Sequence, residues 1–132
     1  VLPDSVRADP SDDFPFVAGD ADATGAGAGA GSSGNLPLPP GGGDAPWLGA
    51  VEAALGAMAA RGPRALGVAL GRDAAADDPI GALAVSRAGF VGAAERIARA
   101  GLPTALVQEG GYLCAALPDN LAAYLAAFDG AR

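Results

Sequence analysis

The chain has 132 residues, enough for one small domain with a single core. Its formal net charge is −7 and its eight basic residues are all arginines, so the concentrated basic face that nucleic acid requires is excluded. No apolar run reaches the roughly 18 residues that a membrane span needs. The one cysteine, Cys114, excludes an internal disulfide and is typical of a reducing compartment, which predicts a cytoplasmic protein. These features do not determine the oligomeric state.

Residues 1–43 are rich in Gly, Pro, Asp and Ser and are predicted to be mostly irregular. Their run "TGAGAGAGSSGNLPLPPGGGD" fits three interpretations: a flexible linker, a silk-like stacked edge, or a loop whose backbone approaches a ligand. Composition favours the linker. The stiff "NLPLPPG", with two leucines available for burial, indicates instead a loop that is pinned at its C-terminal end.

Residues 44–132 have the pattern helix, strand, helix, strand, helix. Asp44 is predicted to cap the first helix, and Ser86 is predicted to cap the second. The short apolar runs "RALGVAL" (64–70) and "TALVQ" (104–108) suit buried strands, the first covered on both faces. The last helix is predicted to begin or kink at Pro118.

This order predicts an α/β fold, because a helix between two strands makes a right-handed crossover and a parallel sheet covered by helices. Ligands collect beyond the carboxyl ends of such strands. Asp73, in "LGRDAAADDPIG", follows the first strand, and "EGGY" (109–112) follows the second. We therefore expect both polar clusters on one edge of the sheet.

Each candidate residue also has a purely structural interpretation. Asp73 is either a metal ligand or a turn former, and Tyr112 is either a packing residue or a hydrogen-bond donor aimed into a cleft. Asp77 and Asp78 are interpreted as loop residues, with Asp78-Pro79 setting the turn.

The combination is more specific than its parts. "GNLPLPPGGGDAPWL", "LGRDAAADDPIGALAVSRAGF" and "LPTALVQEGGYL" occur in the order and spacing of a known family pattern, and "SVRADPSDDFPFVAG" matches its beginning. They resemble the C-terminal half of the zinc-dependent deacetylases, which include histone deacetylases and acetylpolyamine amidohydrolases. The resemblance covers residues 1–128 and implies a three-layer α/β/α fold of the arginase/deacetylase type, with residues 1–132 as the C-terminal part of one deacetylase domain.

The resemblance also implies the chemistry of a site. Asp73 would be one of three Zn²⁺ ligands, the others being an Asp and a His upstream of Val1, and Tyr112 would stabilise the oxyanion of the reaction intermediate. Phe14 would line the tunnel for an acetylated amine substrate, acetyl-lysine or an acetylpolyamine. Gly110 and Gly111 would bring the backbone close to the acetyl group.

A monovalent cation, K⁺, is a further cofactor that the resemblance implies, bound by Ser5 and the carbonyl of Val6. Arg7 replaces a histidine that is usual in the family. Arg72 replaces a phenylalanine, and a guanidinium beside Asp73 could pair with it instead of leaving it to a metal.

Three hypotheses follow for function. The chain is a fragment of a zinc-dependent deacetylase, inactive alone because the paired histidines and two zinc ligands lie upstream. Alternatively it is a non-catalytic relic or binding module of the same fold, or its glycine-rich segment is a linker between domains.

Overall fold

The structure is a computed structural model that describes residues 1–132. Four strands and three α-helices follow one another along the chain, with a short 3-10 turn at Gly27–Gly29. They are β1 (Asp4–Ala8), β2 (Gly34–Leu38), α1 (Asp44–Ala60), β3 (Leu66–Gly71), α2 (Arg87–Arg99), β4 (Thr104–Glu109) and α3 (Leu117–Gly130). None of the helices is both long enough and apolar enough to cross a membrane.

The strands form two parallel pairs. β1 lies beside β2, with Asp4 opposite Gly34 and Ala8 opposite Leu38. β3 lies beside β4 in a register that runs from the Leu66–Thr104 pair to the Gly71–Glu109 pair. The predicted α/β class with parallel strands is confirmed, and the strands predicted at 64–70 and 104–108 differ from the observed ones by one or two residues at their ends.

Residues 1–43 are mostly irregular, as predicted, but they also contain β1 and β2, which the sequence analysis did not predict. Val6 and Leu36 pack against the core, and Leu38 is buried in it. The glycine-rich segment between them folds back on itself, with Ser33 N donating to Thr24 O at 3.3 Å. Since both ends of the segment lead into the same strand pair, the structure does not support a linker between domains.

Asp44 does not cap its own helix, contrary to the prediction. Gly43 occupies the capping position of α1, and the Asp44 carboxylate accepts hydrogen bonds from Ser86 N at 2.7 Å and Ser86 Oγ at 2.6 Å. Ser86 caps α2 as predicted, because its Oγ accepts from Ala88 N and Gly89 N. Asp44 and Ser86 together join the first turns of two helices.

The core lies between the strands and the row formed by the three helices. Trp47 packs edge-on against Phe90, with ring centroids 5.2 Å apart. Leu70, Tyr124 and Phe128 are buried in the same cluster.

Only one face of the β3–β4 pair is covered by this chain. Its opposite face consists of exposed small or β-branched residues: Gly67, Ala69, Ala105 and Val107. The prediction that the first of these strands is covered on both faces is therefore wrong for these residues. A strand's alternate side chains point to opposite faces, and the helices of this chain supply cover for one of them.

A cavity of about 720 Å³ separates the two strand pairs. Every residue of β1 and of β3 lines it, whereas no residue of β2 or β4 does, so the unpaired edges of β1 and β3 both border this cavity. No Cα atom of β1 comes within 8 Å of one in β3.

We expect residues 1–132, expressed alone, to self-associate, because unpaired strand edges recruit other chains. Size-exclusion chromatography with light scattering should detect oligomers at micromolar concentration. Ala69→Lys, at an exposed position of β3, should raise the monomer fraction, since lysine is a natural edge blocker. The matched control is Ala126→Lys on an exposed position of α3, which should change nothing. A monodisperse wild-type monomer that melts cooperatively would contradict the expectation.

Candidate active site

Two loops begin at the same edge of the sheet, which is formed by the carboxyl ends of β3 and β4. Gly71, the last residue of β3, is paired with Glu109, the last residue of β4. Asp73 follows two positions after Gly71, and Tyr112 follows three positions after Glu109. The prediction that two polar clusters meet at this edge is confirmed, and its cause is the parallel register.

The diglycine packs directly on the chain at Arg72 and Asp73. Gly110 and Gly111 have positive φ values of 37° and 92°. A Cβ atom on Gly110 would lie 2.7 Å from Asp73 Oδ2, and one on Gly111 would overlap the Cβ of Arg72. Glycine is therefore required here for the approach of one loop to the other as well as for the turn.

The cavity between β1 and β3 brings together four of the six residues that sequence analysis selects. They are Ser5, Phe14, Asp73 and Tyr112. Tyr112 is 47% exposed and Phe14 is 78% exposed, so both side chains are accessible. Gly110 and Gly111 are not part of the cavity wall and lie behind Asp73 and Arg72.

The carboxylate of Asp73 has no partner within the chain. It is half-buried and forms no hydrogen bond or ion pair there. A catalytic zinc needs three protein ligands and one open position. No group of three His, Cys, Asp or Glu side chains lies close enough to hold a metal. These residues fit one position of a zinc shell and do not make a complete one.

Arg72 does not pair with Asp73, contrary to the alternative that its sequence position suggests. Its side chain is fully buried on the helix side, with the guanidinium carbon 3.7 Å from the Phe90 ring centroid and 5.9 Å from that of Tyr124. Asp73 lines the cavity and Arg72 does not, so the two side chains face different environments. The arginine therefore leaves the carboxylate free.

The cluster of Arg72, Phe90 and Tyr124 contains buried polar atoms that lack hydrogen-bond partners. Nε, Nη1 and Nη2 of Arg72 and Oη of Tyr124 are buried without a hydrogen-bond partner in the chain. Burial lowers the pKa of Arg72. It also raises the pKa of Tyr124 to about 12, because the charged form of either group is poorly solvated there. The attraction of the guanidinium to the Phe90 ring offsets part of this cost.

Arg7, on β1, lines the cavity and supports the loop that carries Phe14. Its Nη2 donates to the carbonyl oxygen of Phe14 at 2.9 Å. Gly19 packs against the same guanidinium, which a Cβ atom would approach to 2.6 Å. Arg7 thus places a guanidinium group in the cavity wall.

Sequence reasoning missed one hydrogen bond of Asp78. As predicted, it sets the turn: Oδ1 accepts hydrogen bonds from Ile80 N and Gly81 N, both at 3.0 Å. In addition, Oδ2 accepts a hydrogen bond from Tyr112 N at 2.8 Å. No sequence pattern reveals this bond, because its partners are 34 residues apart. Asp77 is exposed and forms no such bond.

Comparison with known proteins shows the family and the class of fold. The chain is 38% identical over 131 residues to acetylpolyamine amidohydrolase 1 of Pseudomonas aeruginosa, covering 99% of this chain and 38% of that protein. It is 39% identical over 132 residues to an acetylpolyamine amidohydrolase of Burkholderia pseudomallei, covering all of this chain and 39% of the relative. The crystal structure of the Burkholderia pseudomallei acetylpolyamine aminohydrolase superposes with a TM-score of 0.92 at 38% identity, covering 98% of this chain and 38% of that one.

These similarities define an α/β fold of the deacetylase type. The histone deacetylase domain matches residues 1–128, and the chain belongs to that family. It spans less than two-fifths of the length of the curated relatives named above.

We expect Arg72→Met to increase the free energy of unfolding by about 1–3 kcal/mol, because a buried charge without an acceptor costs more than stacking returns. The measurement is urea denaturation at submicromolar concentration, followed by the fluorescence of the single tryptophan, Trp47, which touches Phe90.

The control is Arg87→Met, which breaks an exposed ion pair with Asp119 and should change the free energy by less than about 0.5 kcal/mol. A decrease of more than about 1 kcal/mol in the free energy of unfolding of Arg72→Met would contradict the expectation. Removal of a buried ionic group destabilises a protein by this much when the group has a partner.

Proposed function

We propose that residues 1–132 are the C-terminal part of a single deacetylase domain that hydrolyses the acetyl amide of an acetylated amine. The observation that carries this proposal is the meeting of Asp73 and Tyr112 at one edge of two parallel strands, on one cavity wall. A free carboxylate and an exposed phenol are a metal ligand and a hydrogen-bond donor, the two groups that such a hydrolysis uses on this side of the substrate.

The proposed roles follow from the chemistry of each side chain. Asp73 supplies one oxygen ligand to a Zn²⁺ ion, which, when bound, lowers the pKa of water and polarises a carbonyl group. Tyr112 donates its phenolic hydrogen to the oxygen that becomes negative as the amide carbon is attacked. Phe14 presents an exposed apolar ring to the aliphatic stem of the acetylated amine. Ser5 and the carbonyl of Val6 offer oxygen ligands to K⁺.

Gly110 and Gly111 allow the loop that carries Tyr112 to lie close to the acetyl group. The structure gives a direct reason for their small size, which is the packing of the loop on Arg72 and Asp73. A substituent there would push Tyr112 away from Asp73, so their effect on substrate is exerted through the position of that loop.

The gap between β1 and β3 supports the proposal that the domain is larger than this chain. Two spacings between neighbouring strands amount to about 9.5 Å. The edges of β1 and β3 border one cavity, and no Cα pair between them is closer than 8 Å. This lower bound leaves room for at least one additional strand, and the carboxyl end of a parallel strand there would reach the end of the sheet at which Asp73 lies. Such a strand would be a suitable carrier for the two missing zinc ligands.

The relatives named as acetylpolyamine amidohydrolases favour a polyamine as the amine, with acetyl-lysine as the other substrate of this class. The formal net charge of −7 favours the acetylpolyamine, because its unacetylated amines are cations that an acidic protein attracts over a distance, whereas the acetylated side chain of lysine is neutral. Asp13 also lines the cavity and adds negative charge to its wall, whereas the cavity-lining Asp4 is paired with Arg61 at 3.1 Å.

The alternative is a non-catalytic binding module of the same fold. Arg7 favours it, because its guanidinium lies on the cavity wall and cannot exchange a proton as an imidazole does. Arg72 does not favour it, since its side chain points into the core.

We expect Tyr112→Phe to lower kcat about 10²- to 10³-fold in a protein that carries the whole deacetylase domain, with KM changing little. The assay follows amine release from an acetylpolyamine and from a fluorogenic acetyl-lysine peptide. Tyr124→Phe is the matched control, because it removes a phenolic hydroxyl that is buried and unpartnered. It should leave kcat unchanged.

Residues 1–132 alone should show no turnover with added zinc, since they supply one ligand of the metal shell. Robust activity of this chain that Tyr112→Phe abolishes would contradict the proposal that another segment completes the site. No turnover by the whole domain with zinc would favour the binding module, whereas a wild-type-like kcat of Tyr112→Phe would contradict the role proposed for Tyr112.

A further inference from the structure

Asp78 joins the two loops of the candidate site through backbone hydrogen bonds. Its Oδ1 accepts from Ile80 N and Gly81 N, and its Oδ2 accepts from Tyr112 N. One carboxylate therefore holds three N–H groups that belong to two different loops. A charged acceptor makes each of these bonds stronger than one between neutral groups.

The loop that carries Tyr112 has few other restraints. Gly110 and Gly111 precede Tyr112 and have the widest backbone freedom of any residue type. The bond from Tyr112 N to Asp78 is the only hydrogen bond formed by residues 110–113. Tyr112 is also half-exposed, so side-chain packing alone does not fix it.

The loop segment on the other side of Asp78, at Gly81, lies against Asp73. Gly81, whose N–H binds Asp78, approaches the backbone of Asp73 so closely that a Cβ atom would overlap the Asp73 carbonyl group. Asp78 is thus connected to the backbone of Asp73 through Gly81 and to the backbone of Tyr112 directly. Without the Asp78 carboxylate, only the packing of Gly110 and Gly111 would set the spacing between Asp73 and Tyr112.

We propose that Asp78 is a positioning residue, which holds the Tyr112 loop in register with Asp73. This inference rests on the proposed role of Tyr112 and adds a residue that acts only through it. The nearby Asp77, which carries the same charge without these bonds, has no such role.

The test is Asp78→Asn in a protein that carries the whole deacetylase domain. An asparagine keeps the shape but turns one acceptor into a donor, which opposes the backbone N–H groups. We expect kcat to fall about 10- to 100-fold, because small misplacements of a reacting group are costly, while KM changes less than about threefold. Asp77→Asn is the matched control and should retain the wild-type kcat.

A double-mutant cycle separates positioning through Tyr112 from a general loss of structure. In a Tyr112→Phe background, Asp78→Asn should cost less than about threefold, since the group it positions is already gone. An equal loss in both backgrounds, or no loss in the wild-type background, would overturn the inference. If Tyr112→Phe itself leaves kcat unchanged, the proposed role of Tyr112 fails together with the inference that rests on it.

Hydrogen exchange gives a measurement that does not depend on activity. The amide of Tyr112 should exchange faster in Asp78→Asn than in wild type or Asp77→Asn, read by mass spectrometry on a peptide covering residues 109–113. Unchanged protection of that amide would overturn the inference even if Asp78→Asn lowers kcat. Should Asp78→Asn fail to fold, Asp78→Ser, which keeps an acceptor oxygen on a shorter side chain, is compared with Asp77→Ser by the same exchange measurement.

Discussion

The close packing of Gly110 and Gly111 on Arg72 and Asp73 is the contact on which the rest of the site depends. Parallel pairing of β3 and β4 brings the two loops to the same edge, but pairing ends at Gly71 and Glu109. Beyond that point the loops remain together because one of them has no side chains at the point of contact. The carboxylate of Asp73, the loop of Tyr112 and the bridge from Asp78 all take their positions from this approach.

The same short segment sends two adjacent side chains into opposite environments. Arg72 enters an aromatic core, where it has no acceptor, and Asp73 faces a cavity, where it has no donor. An ion pair between them would satisfy both charges and would remove the free carboxylate. This pair does not form, because Arg72 lies among Phe90 and Tyr124 while Asp73 lines the cavity, so the arginine costs stability without binding the carboxylate.

Much of the α/β framework could be predicted from sequence because its signals are local. Apolar runs marked β3 and β4, and Ser86 marked the start of α2. β1 and β2 escaped prediction because they pair across a glycine-rich segment and one of them contains a proline, Pro37. Asp44 carried a capping signal, but it binds Ser86, 42 residues away, in preference to its own helix.

In the candidate site, too, local signals could be read from the sequence and long-range contacts could not. Asp73 and Tyr112 could be selected as candidates from sequence because each follows a strand and fits a family pattern. The direction of Arg72 could not be read from its position beside Asp73, since it depends on where α2 and α3 place Phe90 and Tyr124. The bond from Asp78 to Tyr112 required the three-dimensional approach of two loops that composition describes only as turns.

The most direct test of this account compares Gly111→Ala with Gly62→Ala by urea denaturation at submicromolar concentration, using Trp47 fluorescence. Both glycines have positive φ, 92° and 63°, but only Gly111 has atoms of another segment within reach of a Cβ. Gly62→Ala should cost about 1–2 kcal/mol from backbone strain alone. Gly111→Ala should cost at least about 2 kcal/mol more, because its Cβ would displace the loop from Arg72. Equal costs would contradict the claim that this contact holds the site together.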